Sequence, residues 1–313
     1  MSLPRLSASA ALVVAHPSHE LRLHGWLEQT RPCVCVLTDG AGRSGEPRLT
    51  RTTEVLARAG ATQGAIYGRF TDLEVYSAIL NGDADLFERV VEHLAEMFVE
   101  KRIDYVVGDA AEGYSVTHDI CRIMIGAAVE MAERSYGHRV RNFDFMVVGP
   151  PDECADELRE RAMWLQLDDD VFNRKVDAAL NYTPELATDV EAALAGEPFR
   201  GVLRFSQPQL AGQVDVEVST AMHAEPELKE KFRGMIDGVP LDAFRVECLR
   251  PVDNESGTHW TTKPFYELYG EKLVAAGRYQ KVIRYEEHML PLARAIRAKA
   301  KVEREERCVG SAF

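Results

Sequence analysis

The chain has 313 residues, 46% apolar and 28% charged, which fits one large or two modest globular domains with a sizeable core. Fifty acidic against 37 basic residues give a formal net charge of −13. Such a surface repels phosphate backbones, so nucleic acid is excluded as an expected partner. No apolar run approaches the roughly 18 residues that span a bilayer, and Met1-Ser2-Leu3-Pro4-Arg5 lacks the pattern of a secretory leader. The expectation is a cytoplasmic protein, off the membrane, that handles a small molecule.

In chain order, residues 11–15 and 33–37 are short apolar runs that predict buried strands. Between them, Leu23, Trp26 and Leu27 recur at helical spacing within 20–29. A glycine-rich loop over 40–47 precedes a helix over 49–59 that stops at Gly60. Residues 104–108 predict a third buried strand, with helices before it at 85–101 and after it at 118–134. A strand over 143–148 is closed by Gly149-Pro150-Pro151. Alternating strands and helices imply an α/β fold: a Rossmann-like, mostly parallel sheet with helices on both faces. Ligands then bind beyond the carboxyl ends of the strands, which places His16, Asp39 and Asp109 on one rim.

Beyond Pro151 the pattern changes to an α+β extension. Residues 152–181 and 184–195 read as helices, with Asp168-Asp169-Asp170 in the first as a solvated face or turn. Strands are expected at 201–205, 214–218 and 244–249, and helices at 226–236, 264–276 and 286–306. The Gly-Pro-Pro break divides a metal-site domain, 1–150, from a region, 151–313, expected to pack on or cover the site. The six cysteines, at 33, 35, 121, 154, 248 and 308, form no disulfide framework and read as free thiols, Cys33 and Cys35 buried on one strand face.

Chemistry concentrates in His16-Pro17-Ser18-His19-Glu20, directly after the first strand. Two imidazoles three residues apart on such a turn can face one centre, and His118 can supply a third. A catalytic zinc needs about three protein ligands and one open position. Asp119, beside His118, could orient an imidazole.

The segment 13–20 resembles the Ala-His-Pro-Asp-Asp-Glu signature of the LmbE-like (PIG-L) zinc-dependent N-deacetylase family. Three more features follow in that family's order. Cys35 to Gly40 resembles its second strand and Thr-Asp-Gly turn; Arg51-Thr52-Thr53-Glu54 resembles its Arg-x-x-Glu helix; Tyr114 to Asp119 stands where it has His-Pro-Asp-His. The resemblance covers about residues 10–150 and implies a metal-dependent amide hydrolase acting on a small or sugar-like N-acyl substrate. It implies zinc, or another first-row divalent metal, on His16, His19 and His118, with His19 where the family has aspartate. It implies a substrate contact from Arg51, whose alternative is a helix-surface ion pair with Glu54, and a support role for Glu20.

Two departures matter. Ser18 replaces the family's general base and Ser115 its oxyanion-stabilising histidine. A replacement base is expected between the third strand and His118, with Asp109 ahead of Glu112, and Tyr114 as an oxyanion donor in the substrate pocket. His288 could reach the site from the C-terminal half or cap its helix, and His259-Trp260 could line a pocket. The rival readings are a ligand-binding protein that has lost hydrolysis and a tri-histidine metal enzyme with other chemistry.

Overall fold

The computed structural model describes residues 8–42, 47–199, 238–253 and 263–301. Its seven-stranded sheet has the order β3-β2-β1-β4-β5-β7-β6. The first five strands are β1 (Ala10–Val14), β2 (Cys33–Thr38), β3 (Thr62–Phe70), β4 (Tyr105–Asp109) and β5 (Arg141–Phe145), all parallel to their neighbours. β7 (Val246–Pro251) joins β5 antiparallel, and β6 (Met163–Gln166) joins β7 antiparallel. The α/β fold with a mostly parallel sheet is as the alternating pattern implies, and β6 and β7 extend that same sheet.

Helices cover both faces because β1, β2 and β4 are apolar on both sides, as central parallel strands must be. Ala11, Val13 and Cys35 face one core with Phe87, Phe98, Ile120 and Ile296. Those partners belong to α4 (Ala84–Glu100), α5 (Val116–Tyr136) and a C-terminal helix (Leu290–Lys301). Leu12, Val14, Val34 and Val36 face the other core with Trp26, Leu56, Phe172 and Phe265. These come from α1 (His24–Thr30), α2 (Leu49–Ala59), α6 (Asp169–Leu180) and a later helix (Phe265–Ala275). β1 and β4 pack closely at Gly108: a Cβ there would lie 2.7 Å from the Val13 carbonyl oxygen and 2.3 Å from Ile125 Cδ1.

Several expected elements differ. The 20–29 helix is a 3-10 turn (His19–Leu23) followed by α1. β3 and α3 (Asp72–Asn81) fill a stretch left without elements, β3 because it is largely exposed and carries little apolar signal. The single helix expected over 152–181 is instead a short 3-10 turn, β6 and α6, with Asp168 capping α6 through Val171 N–H at 2.9 Å. The last helix opens with π geometry at Tyr285–Met289. The strands at 201–205 and 214–218, the helix at 226–236, His259-Trp260 and Cys308 lie outside the described residues. Among the described residues, Cys33, Cys35, Cys121, Cys154 and Cys248 are free thiols, and no helix is long and apolar enough to cross a membrane.

Candidate metal centre

Parallel pairing aligns the carboxyl ends of β1, β2 and β4, and the loops that leave them carry the site. Val13 pairs with Gly108, so Asp109 lies beside the exit of β1, where its Oδ2 accepts the Ala15 N–H at 2.7 Å. The same oxygen accepts from His19 Nδ1 at 2.9 Å. On the other side, Thr38 N–H donates to the Ala15 carbonyl at 3.0 Å, and its hydroxyl accepts from His16 Nδ1 at 2.8 Å. His16 Nδ1 also lies 3.1 Å from Asp72 Oδ1 at the start of α3.

These partners fix the tautomers. A carboxylate only accepts, so His19 carries its proton on Nδ1. The Thr38 hydroxyl donates to the Ala15 carbonyl at 3.2 Å and so accepts from His16. Each ring thus has a donor Nδ1 and an Nε2 lone pair, the form in which carboxylate-backed histidines bind metals.

The chain between them is strained. Ser18 adopts φ 90°, ψ −19°, a left-handed conformation that a non-glycine residue reaches at some cost. Its amide donates to Glu20 Oε2 at 2.8 Å and its carbonyl accepts from Leu21 at 3.1 Å. The turn brings the His16 and His19 ring centroids to 5.4 Å. His118, in the first turn of α5, completes the triangle at 5.3 Å from His16 and 4.7 Å from His19.

This spacing fits a tetrahedral ion. A tetrahedral ion with Zn–N of about 2.0–2.1 Å would separate the centroids of its imidazole ligands by about 5.2 Å. His118 is 1% exposed, and neither of its ring nitrogens has a hydrogen-bond partner. Two orphaned nitrogens at a buried position call for a ligand. Among the described residues no group of three His, Cys, Asp or Glu stands ready-made to hold a metal.

Electrostatics favours neutral rings. Burial, then the His19 and His16 rings, push the pKa of His118 well below 6.5. Burial also lowers that of His19, outweighing Asp109. For Asp72, burial pulls the carboxyl up, but His16, Thr38 and the Gly42 amide hold it below the ordinary carboxylate range.

The other expected site residues are placed differently. Asp109 is fully buried; its Oδ2 is the partner of His19 and Ala15, and its Oδ1 has no hydrogen-bond partner. Glu112 accepts the amides of Val147, Val148 and Gly149 at 2.8–3.1 Å, anchoring the loop after β5. Asp119 accepts the Gly113 amide at 3.2 Å and makes no hydrogen bond to the neighbouring His118 ring. Arg51 forms an exposed ion pair with Glu54 at 2.9 Å, the second of its two readings. The arginine that acts electrostatically on His19 and Glu20 is Arg48, whose Nε donates to Gly40 O at 2.7 Å. Tyr114 is buried, stacked on Phe265, with its ring 6.4 Å from that of His118. His288 accepts the Arg284 amide at 3.0 Å and caps its own helix.

Asp72, Thr38 and Tyr76 were not foreseen as site residues. Asp72 follows the exposed strand β3 through Thr71, where other carboxyl-end loops already carried the signal. Tyr76, one turn beyond Asp72, has its hydroxyl among Thr117 and Ser115; burial, then Asp72, push its pKa up to about 12, although its ring is 37% exposed.

Beside the rings lies a cavity of about 90 Å³, walled by His19 and His118 on one side and largely by apolar side chains of the C-terminal half elsewhere.

No family model and no curated protein matches the sequence. Similar solved structures include the A40926 pseudoaglycone deacetylase Dbv21, at 18% identity and TM-score 0.43 over 80% of this chain and 99% of that one. A deacetylase triple mutant (Orf2*T) of the teicoplanin biosynthetic pathway gives 17% and 0.43 over 80% and 100%. A deacetylase–bog complex from teicoplanin biosynthesis gives 16% and 0.42 over 79% and 100%. Similarity this distant carries no inference about activity, which has to come from the side chains themselves.

Proposed function

We propose that this protein is a metal-dependent hydrolase of an amide bond in a small N-acyl substrate, such as an N-acylated sugar. His16, His19 and His118 would hold zinc or another first-row divalent ion. The observation that carries this reading is the triangle of buried imidazoles, 4.7–5.4 Å between centroids, with both nitrogens of His118 unpartnered.

A divalent ion held there supplies Lewis acidity toward an amide carbonyl and makes water nucleophilic near neutral pH. The protein's own groups set the ligands. Asp109 keeps the proton on His19 Nδ1, and Thr38 with Asp72 keeps that on His16 Nδ1, so each Nε2 is a lone-pair donor. Asp109 and Asp72 are therefore positioning residues.

A second reading, a tri-histidine centre that binds a small molecule without hydrolysing it, is favoured by one observation. Asp109 Oδ2 is taken by His19 and Ala15, Asp72 lies against His16 Nδ1, and Glu112 is committed to backbone amides. The test is release of amine from a panel of N-acetylated sugars and amines after chelation and zinc, iron or manganese add-back. Metal-dependent release supports the hydrolase. A stoichiometrically bound ion with no release on any substrate favours the second reading.

A further inference from the structure

We infer that the cavity beside the imidazoles is a binding site for an unbranched apolar chain several carbons longer than acetyl, carried by the acyl part of the substrate. This rests on the hydrolase reading only for which bond lies at the metal centre.

The wall opposite His19 and His118 is built from Phe172, Leu186, Val190, Phe199, Leu241 and Phe244. Phe172 and Phe244 belong to one core, and Leu186 and Val190 to a smaller cluster with Tyr182. Two cations also line the cavity, and both are turned to other work. Lys175 Nζ donates to Arg22 O at 2.7 Å and to Glu247 at 2.8 Å. Arg22 donates through Nε to Val147 O at 2.9 Å and through Nη2 to Val147 O and Gly149 O. Its guanidinium lies 4.9 Å from the Phe244 ring centroid, and only Nη1 has no hydrogen-bond partner. A polar glycan would find almost nothing here to replace its water, whereas an apolar chain removes apolar surface from water at every carbon.

Size and continuity identify the occupant. Admitting one water takes about 10–15 Å³, so a cavity of about 90 Å³ is several groups large. An acetyl group leaves most of that volume unfilled. Because His19 and His118 form part of the wall, a chain lying in the cavity ends at the metal centre. That places its carbonyl carbon at the imidazoles and directs the amine part of the substrate elsewhere.

The test uses the full chain, metal-free and zinc-loaded, titrated calorimetrically with straight-chain amides from acetamide to octanamide. Affinity should rise about fourfold per added methylene until the chain fills the cavity, with acetamide the weakest ligand. Two variants narrow the cavity from different sides, Val190→Phe in the core and Leu241→Trp at a half-buried position. Either, once circular dichroism shows a native fold, should shorten the preferred chain by two or more carbons. Equal affinity for acetamide and octanamide in the wild-type protein overturns the inference, even if an N-acetyl substrate is hydrolysed. Chain-length-dependent binding that both variants leave unchanged also overturns it. Chain-length-dependent binding that the variants shift, with no hydrolysis of N-acetyl or N-hexanoyl glucosamine at any metal, supports the cavity and removes the hydrolase reading.

Discussion

Replacing Asp109 with asparagine separates its two possible roles. The carboxylate is fully buried and one oxygen, Oδ2, receives both the Ala15 amide at 2.7 Å and His19 Nδ1 at 2.9 Å. A carboxamide oxygen in the Oδ2 place keeps both bonds as neutral ones, and the NH₂ takes the Oδ1 place, which has no hydrogen-bond partner. Removing the charge from two bonds and burying an unpartnered NH₂ should destabilise the fold by about 1–3 kcal/mol. With its Nδ1 proton held by a neutral acceptor in place of a carboxylate, His19 should bind metal less well, and outer-shell losses of this kind weaken affinity about 10–100-fold. Zinc titration of Asp109→Asn against a fluorescent chelator, beside a urea melt of the metal-free protein, reads both effects. A free general base predicts the reverse pattern: metal affinity unchanged and turnover down about 10²–10⁴-fold. Unchanged affinity in a folded Asp109→Asn protein would refute the positioning role.

Further outcomes follow from the same geometry. Arg51→Ala removes an ion pair whose two side chains are 53% and 47% exposed, so stability should move by less than about 1 kcal/mol and substrate KM not at all. A raised KM returns Arg51 to the site. Gly108→Ala sets a Cβ against the Val13 carbonyl and Ile125, and overpacking of this kind costs about 1–3 kcal/mol. A denaturation midpoint equal to that of the wild type would contradict the close β1–β4 approach. The metal-free protein should lose stability as pH falls below 6.5. There the unfolded chain protonates its histidines while His24, His19 and His118, with pKa values lowered mainly by burial, do not. Flat stability from pH 7.5 to 5 would count against neutral buried rings, and zinc should deepen the loss because its ligands must stay deprotonated.

The sheet was legible where burial on both faces leaves an unbroken apolar run, as in Ala10–Val14, Cys33–Thr38 and Tyr105–Asp109. It was not legible at Thr62–Phe70, an edge strand with one buried residue and two interior glycines. Nor was it at Met163–Gln166, four residues whose alternation is lost inside an apparently helical stretch. The triangle of histidines was legible because each follows a strand or opens a helix on the same rim, where side chains converge whatever the loop detail. Its carboxylate partners were not. Asp72 depends on a strand with no apolar signature, and Asp109 looks free in sequence because nothing there shows the Ala15 amide beside it. Arg51 could have been read from helix phase. Thr52, Val55, Leu56 and Ala59 form the buried face, which puts Arg51, Glu54 and Arg58 together on the exposed one.

Isothermal titration of the EDTA-treated protein with zinc, repeated on His118→Ala, addresses the metal centre most directly. The gathered imidazoles predict one ion per wild-type chain and at least a hundredfold weaker binding in the variant, with X-ray absorption giving about three nitrogen neighbours at about 2.0–2.1 Å. Zinc that binds equally well without His118, or does not bind the folded wild-type chain at all, would contradict it.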